Sequence, residues 1–133
     1  MRKYMFFLLV MTFFTACNSQ PTAASDLEIR GGDVPVAKAK ELINSDTVTI
    51  LDVRTADEYR LGHIKDATNI DFYGDDFDEQ IEDLPKNKTY LVYCHSGGRS
   101  AKSMKMMQDK GYTVYNMEGG ISAWTESGED TMK

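Results

Sequence analysis

Along most of this chain apolar and polar residues trade places in short blocks, and the spacing of the apolar positions switches between two periods. Runs rich in β-branched and aromatic residues predict strands over 27–30, 47–52, 67–71, 89–93 and 112–117, the first ended by Gly31-Gly32. Between them the apolar period is helical. Over 34–44, Val36, Ala39, Leu42 and Ile43 recur at helical spacing behind Pro35. Thr55-Ala56-Asp57-Glu58 has the form of a capping box opening a short helix, and Gly62 stops it. Over 75–84, Phe77, Ile81 and Leu84 share one face of an acidic helix that Pro85 ends. Ala, Met, Lys and Gln without a breaker predict a helix over 100–110, with Gly111 as its C-cap. A turn at Glu118-Gly119-Gly120 then leads to a terminal helix over 121–126.

Strands alternating with helices predict an α/β domain, a small parallel sheet covered by helices on both faces. In such sheets ligands bind outside the carboxyl ends of the strands. No internal repeat or low-complexity segment interrupts the pattern.

The first residues follow a different pattern. Met1-Arg2-Lys3 is a short basic start, residues 4–16 are almost wholly apolar, and the chain turns polar at Cys17-Asn18-Ser19. That apolar stretch is too short to span a bilayer comfortably but fits the core of a signal peptide. Thr15-Ala16 before Cys17 resembles the lipobox of bacterial lipoproteins, in which the cysteine becomes the lipid-modified first residue. Phe14 departs from that pattern, which usually has an aliphatic residue there. The expectation is therefore a signal peptide over 1–16 and a lipidated Cys17 with a flexible tether over 17–26. A folded domain over 27–128 and a frayed polar tail over 129–133 complete the division. Multiple acyl chains anchor a protein stably, since each buried methylene contributes about 0.8 kcal/mol. The cellular site implied is the bacterial envelope, with the domain exported and held to the membrane by lipid. An ordinary secretory leader with an incidental cysteine is the alternative.

Charge and cysteine count narrow the function. The chain has 133 residues, and about one hundred remain after the leader and tether, enough for one modest core. Setting aside the two positive charges of Arg2 and Lys3 takes the formal charge from −6 to −8. With no basic cluster to offset it, that argues against nucleic acid or anionic lipid as a partner of the domain itself. The two cysteines, Cys17 and Cys94, build no disulfide framework, and His63 and His95 complete no zinc set. The domain is expected to act as a monomer.

The chemistry is concentrated in Cys94-His95-Ser96-Gly97-Gly98-Arg99. The thiol falls at the carboxyl end of a strand, on a loop whose successive N–H groups lead into a helix N-terminus. That geometry favours negative charge, so it depresses the thiol pKa and holds an anion above it. Gly97 and Gly98 let the backbone curl close to the sulfur, and Arg99 adds a fixed cationic fork. Arg99 is a candidate for the anionic group of a substrate, with a helix-start ion pair as its structural alternative. Ser96 and Ser100 are candidate donors to the sulfur, Ser100 alternatively a helix cap. His95 either raises the thiolate fraction by proximity or faces solvent.

Three separate stretches resemble the rhodanese family. Leu51-Asp52-Val53-Arg54, Glu58-Tyr59, Gly62-His63-Ile64, Ala67 and Asn69-Ile70 resemble its amino-terminal half, and Cys94 to Ser100 its active-site loop. Gly111-Tyr112, Val114-Tyr115, Glu118-Gly119-Gly120 and Ala123-Trp124 resemble its carboxyl-terminal signature. Lys65-Asp66 departs from the usual Pro-Gly in a turn. The resemblance implies a small five-stranded α/β domain and sulfur transfer through a persulfide on Cys94. The donor implied is a small sulfur-bearing anion such as thiosulfate; the acceptor is cyanide or a thiol, including a thiol on a partner protein. Neither metal nor organic cofactor is implied. Related phosphatase and arsenate-reductase cradles carry five residues between Cys and Arg, whereas four separate Cys94 from Arg99. The shorter ring suits a sulfur atom rather than a tetrahedral oxyanion. A persulfide carrier that docks a partner and turns over small donors poorly is the alternative reading.

The remaining candidates read as structural. Asp52 is placed to shape the loop from beneath, and Arg54 and Glu58 to pair locally across a helix start. His63 reads as a satisfied turn or core histidine, and Trp124 and the tyrosines as core. Met104, Met106 and Met107 read as packing and pocket wall.

Overall fold

The computed structural model describes residues 31–133. Cys17 and the strand expected over 27–30 lie outside them. Five strands, β1 (Gly31–Val34), β2 (Thr49–Asp52), β3 (Thr68–Asn69), β4 (Thr89–Tyr93) and β5 (Thr113–Met117), form one sheet in the order β1-β5-β4-β2-β3. Every pairing is parallel. Five helices connect or follow them: α1 (Val36–Asn44), α2 (Ala56–Leu61), α3 (Phe77–Glu82), α4 (Gly98–Asp109) and α5 (Gly120–Glu126).

Alternate residues of the central strands feed two cores. On one face Leu51, Tyr90, Val92 and Val114 pack with Phe77 and Ile81 of α3 and Met107 of α4. On the other, Ile50, Leu91, Tyr93 and Met117 meet Ala39 of α1 and Ile121 and Trp124 of α5. Strands buried on both faces need continuous apolar runs, and Tyr90 through Tyr93 supply one at 0% exposure. Met107 is fully buried while Met104 and Met106 pack around the same core, as packing residues should. Helix α4 ends as its sequence predicts, with Gly111 at φ +92° just beyond the C-cap.

Three of the differences from expectation have a visible cause. The glycine pair Gly31-Gly32, expected to end a strand, is itself paired within β1 with Val114 and Tyr115, because backbone pairing requires no side chain. Helix α3 starts two residues late because Asp71 to Phe77 forms linked turns, with Gly74 N donating to Asp71 O and Phe77 N to Gly74 O. The tail is docked rather than frayed. His63 and Met132 exchange backbone hydrogen bonds of 2.8 Å, and Trp124 Nε1 donates to Asp130 O at 3.0 Å.

Chain order places the site. The connection after β2 leaves toward β3, and the connection after β4 leaves the opposite way toward β5. Adjacent strands whose connections diverge open a crevice at their carboxyl ends. The segment from Val53 to Glu58 borders it on one side and the Cys94 loop on the other.

Candidate active site

Cys94 follows the central strand directly and is 1% exposed. Gly97 turns the chain back at φ +106°, in the left-handed region, and brings its N–H to 3.0 Å from Cys94 Sγ. Ser100, fully buried in the first turn of α4, sets its hydroxyl 3.4 Å from the sulfur and 3.2 Å from Gly97 O. Burial is the largest influence on the thiol and pushes its pKa up. The Ser100 hydroxyl and the backbone N–H groups of Ser100, Gly97 and Ser96 outweigh it together, so the thiol titrates below its ordinary value.

The helix after β5 holds the loop from the other side. Ile121 N donates to Cys94 O at 2.9 Å and Ser122 N to His95 O at 3.1 Å. The backbones meet so closely that a Cβ on Gly120 would lie 2.4 Å from Cys94 O and 2.6 Å from His95 O. Only glycine fits there.

The loop residues divide. Ser100 reaches the sulfur with its hydroxyl, whereas Ser96 is exposed and acts through its backbone N–H. Gly97 is required by the turn; Gly98 has open space where a Cβ would stand and serves as the first residue of α4. His95 is exposed, with Nε2 3.4 Å from Ser122 Oγ on α5. Arg99 is half-buried and paired with Glu58, NH1 to Oε2 at 2.7 Å and NH2 to Oε1 at 2.8 Å.

The pairing expected between Arg54 and Glu58 does not form, since each has a better partner. Arg54 Nε donates to both Asp52 carboxylate oxygens at 3.0 Å, and its NH2 donates to Asp52 Oδ2 at 2.6 Å and Gly62 O at 2.7 Å. That buried pair ties the ends of β2 and α2 together. Glu58 is held by the capping box, accepting from Thr55 N at 3.0 Å and Thr55 Oγ1 at 3.1 Å. The Arg99 hydrogen bonds dominate its environment and hold its carboxyl at about 2. His63 is a turn residue, stacked on Tyr59 with ring centroids 3.8 Å apart.

Three participants escaped sequence reading. Tyr73, grouped with the core tyrosines, is 68% exposed and lies over the Arg99 guanidinium at 5.6 Å. Its neighbours Gly74, Asp75 and Asp76 mark a turn, and that was the available signal. Ser122 holds the loop through its backbone N–H and Gly120 lets the backbones approach, across 25 residues of chain or more, a relation no local pattern carries. A cleft of about 460 Å³ runs beside the loop, lined by Glu58, Leu61, His95, Ile121, Ser122 and Thr125 among others. Among the described residues no group of three or more His, Cys, Asp or Glu is placed to hold a metal ion. The arrangement can stabilise a thiolate, and equally a second anionic sulfur carried on it.

Comparison with known proteins agrees with this geometry. A model of the rhodanese-like domain matches residues 35–127. YtwF of Bacillus subtilis, provisionally named a sulfurtransferase, is 36% identical over 69% of this chain and 88% of its own. A sulfurtransferase of Allochromatium vinosum is 31% identical over 68% of this chain and 83% of its own. Among solved structures, a rhodanese-related protein of Thermoplasma volcanium superposes with a TM-score of 0.69 at 31% identity, covering 75% of this chain and 96% of the other. With its parallel five-stranded sheet, its thiol loop and a family match over most of its length, this chain belongs to the rhodanese-like domain family.

Proposed function

We propose that this protein is a sulfurtransferase that carries sulfane sulfur as a persulfide on Cys94. The observation that carries the reading is the Gly97 N–H donating to Cys94 Sγ at 3.0 Å in a four-residue ring at the end of the central strand. The Cys94 thiolate attacks the outer sulfur of a donor such as thiosulfate. A bond forms between the two sulfurs, the donor's S–S bond breaks, and sulfite leaves with the electron pair. An acceptor thiolate or cyanide then attacks the outer sulfur of the persulfide and restores the Cys94 thiolate. The backbone donors face negative charge at both stages. Sulfurtransferase names among relatives at modest identity support the same class.

The reading extends to the cell envelope. The leader and the position of Cys17 support an exported domain held to a membrane by lipid on that residue. Among the described residues no helix is long and apolar enough to cross a membrane.

Intact-mass analysis of protein isolated from membranes tests both. Exposure to thiosulfate or a thiosulfonate is expected to add one sulfur, about 32 Da, removed again by cyanide as thiocyanate and absent in Cys94→Ser. The same spectrum should show a mature chain starting at Cys17 and bearing acyl mass; a mature mass unchanged by globomycin overturns the anchor. Equal inactivity of wild type and Cys94→Ser with every small donor would replace the enzyme by a carrier that docks a partner protein. Phosphate-ester turnover dependent on Cys94 would move the reading to a phosphatase.

A further inference from the structure

The positive charge that Arg99 brings to the loop is already answered by another element. Both carboxylate oxygens of Glu58 face both terminal nitrogens of Arg99, in a two-pronged contact between residues 41 apart in sequence. The side chains are 17% and 32% exposed, more sheltered than an ordinary surface pair. Glu58 is held in turn by the Thr55 amide and hydroxyl, and the Tyr73 ring covers the guanidinium. The end-on pair of N–H bonds, one from each terminal nitrogen, goes to Glu58, so a sulfonate approaching Arg99 meets a guanidinium whose charge a carboxylate already balances. The carboxylate also lies within the wall of the adjoining cleft, beside His95 and Ile121.

Resting on the sulfur-transfer reading above, we propose that Glu58 is a specificity-determining residue. By neutralising Arg99 at the mouth it disfavours dianionic donors such as thiosulfate and favours sulfane donors of single negative charge, the organic thiosulfonates and persulfides. The chemistry at sulfur does not distinguish these donors. With thiosulfate, the Cys94 thiolate takes the outer sulfur and sulfite leaves with the electron pair. With methanethiosulfonate anion it takes the same kind of sulfur and methanesulfinate leaves with the pair. The ratio of the two loading rates therefore reports the charge that the mouth accepts.

Single-turnover loading of Cys94 on the full chain, followed by rapid quench and intact mass, measures that ratio. In Glu58→Gln the rate of thiosulfate relative to methanethiosulfonate is expected to rise about fivefold or more at low ionic strength, with the rise shrinking as salt screens it. Glutamine keeps the capping box, so helix α2 retains its start. Glu41→Gln, an equal charge change at an exposed position of α1, is expected to leave the ratio at its wild-type value. Wild type supplies a measurement that needs no variant. Its thiosulfate rate is expected to fall no more steeply with salt than its methanethiosulfonate rate, whereas a steeper fall shows Arg99 free to attract the dianion and overturns the proposal. An unchanged ratio in Glu58→Gln, with both donors loading Cys94, also overturns it and leaves sulfur transfer standing. If neither donor loads Cys94 in any of these proteins, the sulfur-transfer reading itself falls and the proposal with it.

Discussion

Burial alone would raise the Cys94 thiol, and it is the largest single influence upon it. Several hydrogen-bond donors together reverse its sign, so each has a visible share in reactivity. Removing the Ser100 hydroxyl should move the thiol pKa upward. Because alkylation proceeds through the thiolate, Ser100→Ala is expected to lower the iodoacetamide rate at pH 7 about three- to tenfold. The pH profile of that rate should shift to higher pH while its plateau stays unchanged; an unmoved profile would reduce Ser100 to a helix-start residue. Cys94, Gly97 and Ser100 were readable from the sequence because they act within one loop, where strand, turn and helix signals fix their mutual positions. Arg99 was readable as a cation and as a candidate for a helix-start ion pair, but its partner was not. Its carboxylate comes from another helix, and Glu58 looked locally committed to Arg54.

At the scale of elements, α5 acts as a clamp on the loop through the donors Ile121 N and Ser122 N. The clamp requires Gly120, which has φ +58° and no room for a Cβ against the carbonyl oxygens of Cys94 and His95. Gly120→Ala is expected to cost about 2 kcal/mol or more in denaturant unfolding and to slow persulfide loading more than a comparably destabilising core change. A variant that lost stability but loaded at the wild-type rate would show that the loop keeps its shape without the clamp. Element types were well marked in advance, since apolar period, the Thr55 capping box and the breakers Gly111 and Pro85 are local signals. Boundaries moved where tertiary pairing decided them. β1 took in Gly31 and Gly32 because β5 lies beside them, and β3 shrank to Thr68–Asn69 at the sheet edge. The order β1-β5-β4-β2-β3 is set by packing across the whole chain, which no window of sequence contains.

For the molecule as a whole, the Glu58–Arg99 pair joins the two sides of the crevice, so its titration enters global stability. The Glu58 carboxyl sits at about 2 in the folded protein against an ordinary 4.5, and the unfolded chain therefore binds more protons between those values. The stabilisation is fully present above about 4.5 and is lost as pH falls through about 2. Melting temperatures of wild type should fall over that interval more steeply than those of Glu58→Gln; parallel curves would show that the pair adds nothing to the fold.

The sheet order has one more consequence, for the timing of folding. Among the described residues β1 pairs with β5 alone, and the two are separated by every other strand. A ribosome that has delivered β1 through β4 has delivered an edge strand, β1, whose interior neighbour β5 is still missing, and contacts of such long sequence separation form slowly. The donors that clamp the Cys94 loop, Ile121 N and Ser122 N, follow β5 in the chain, so the cradle around the thiol is complete only after that last strand has been made.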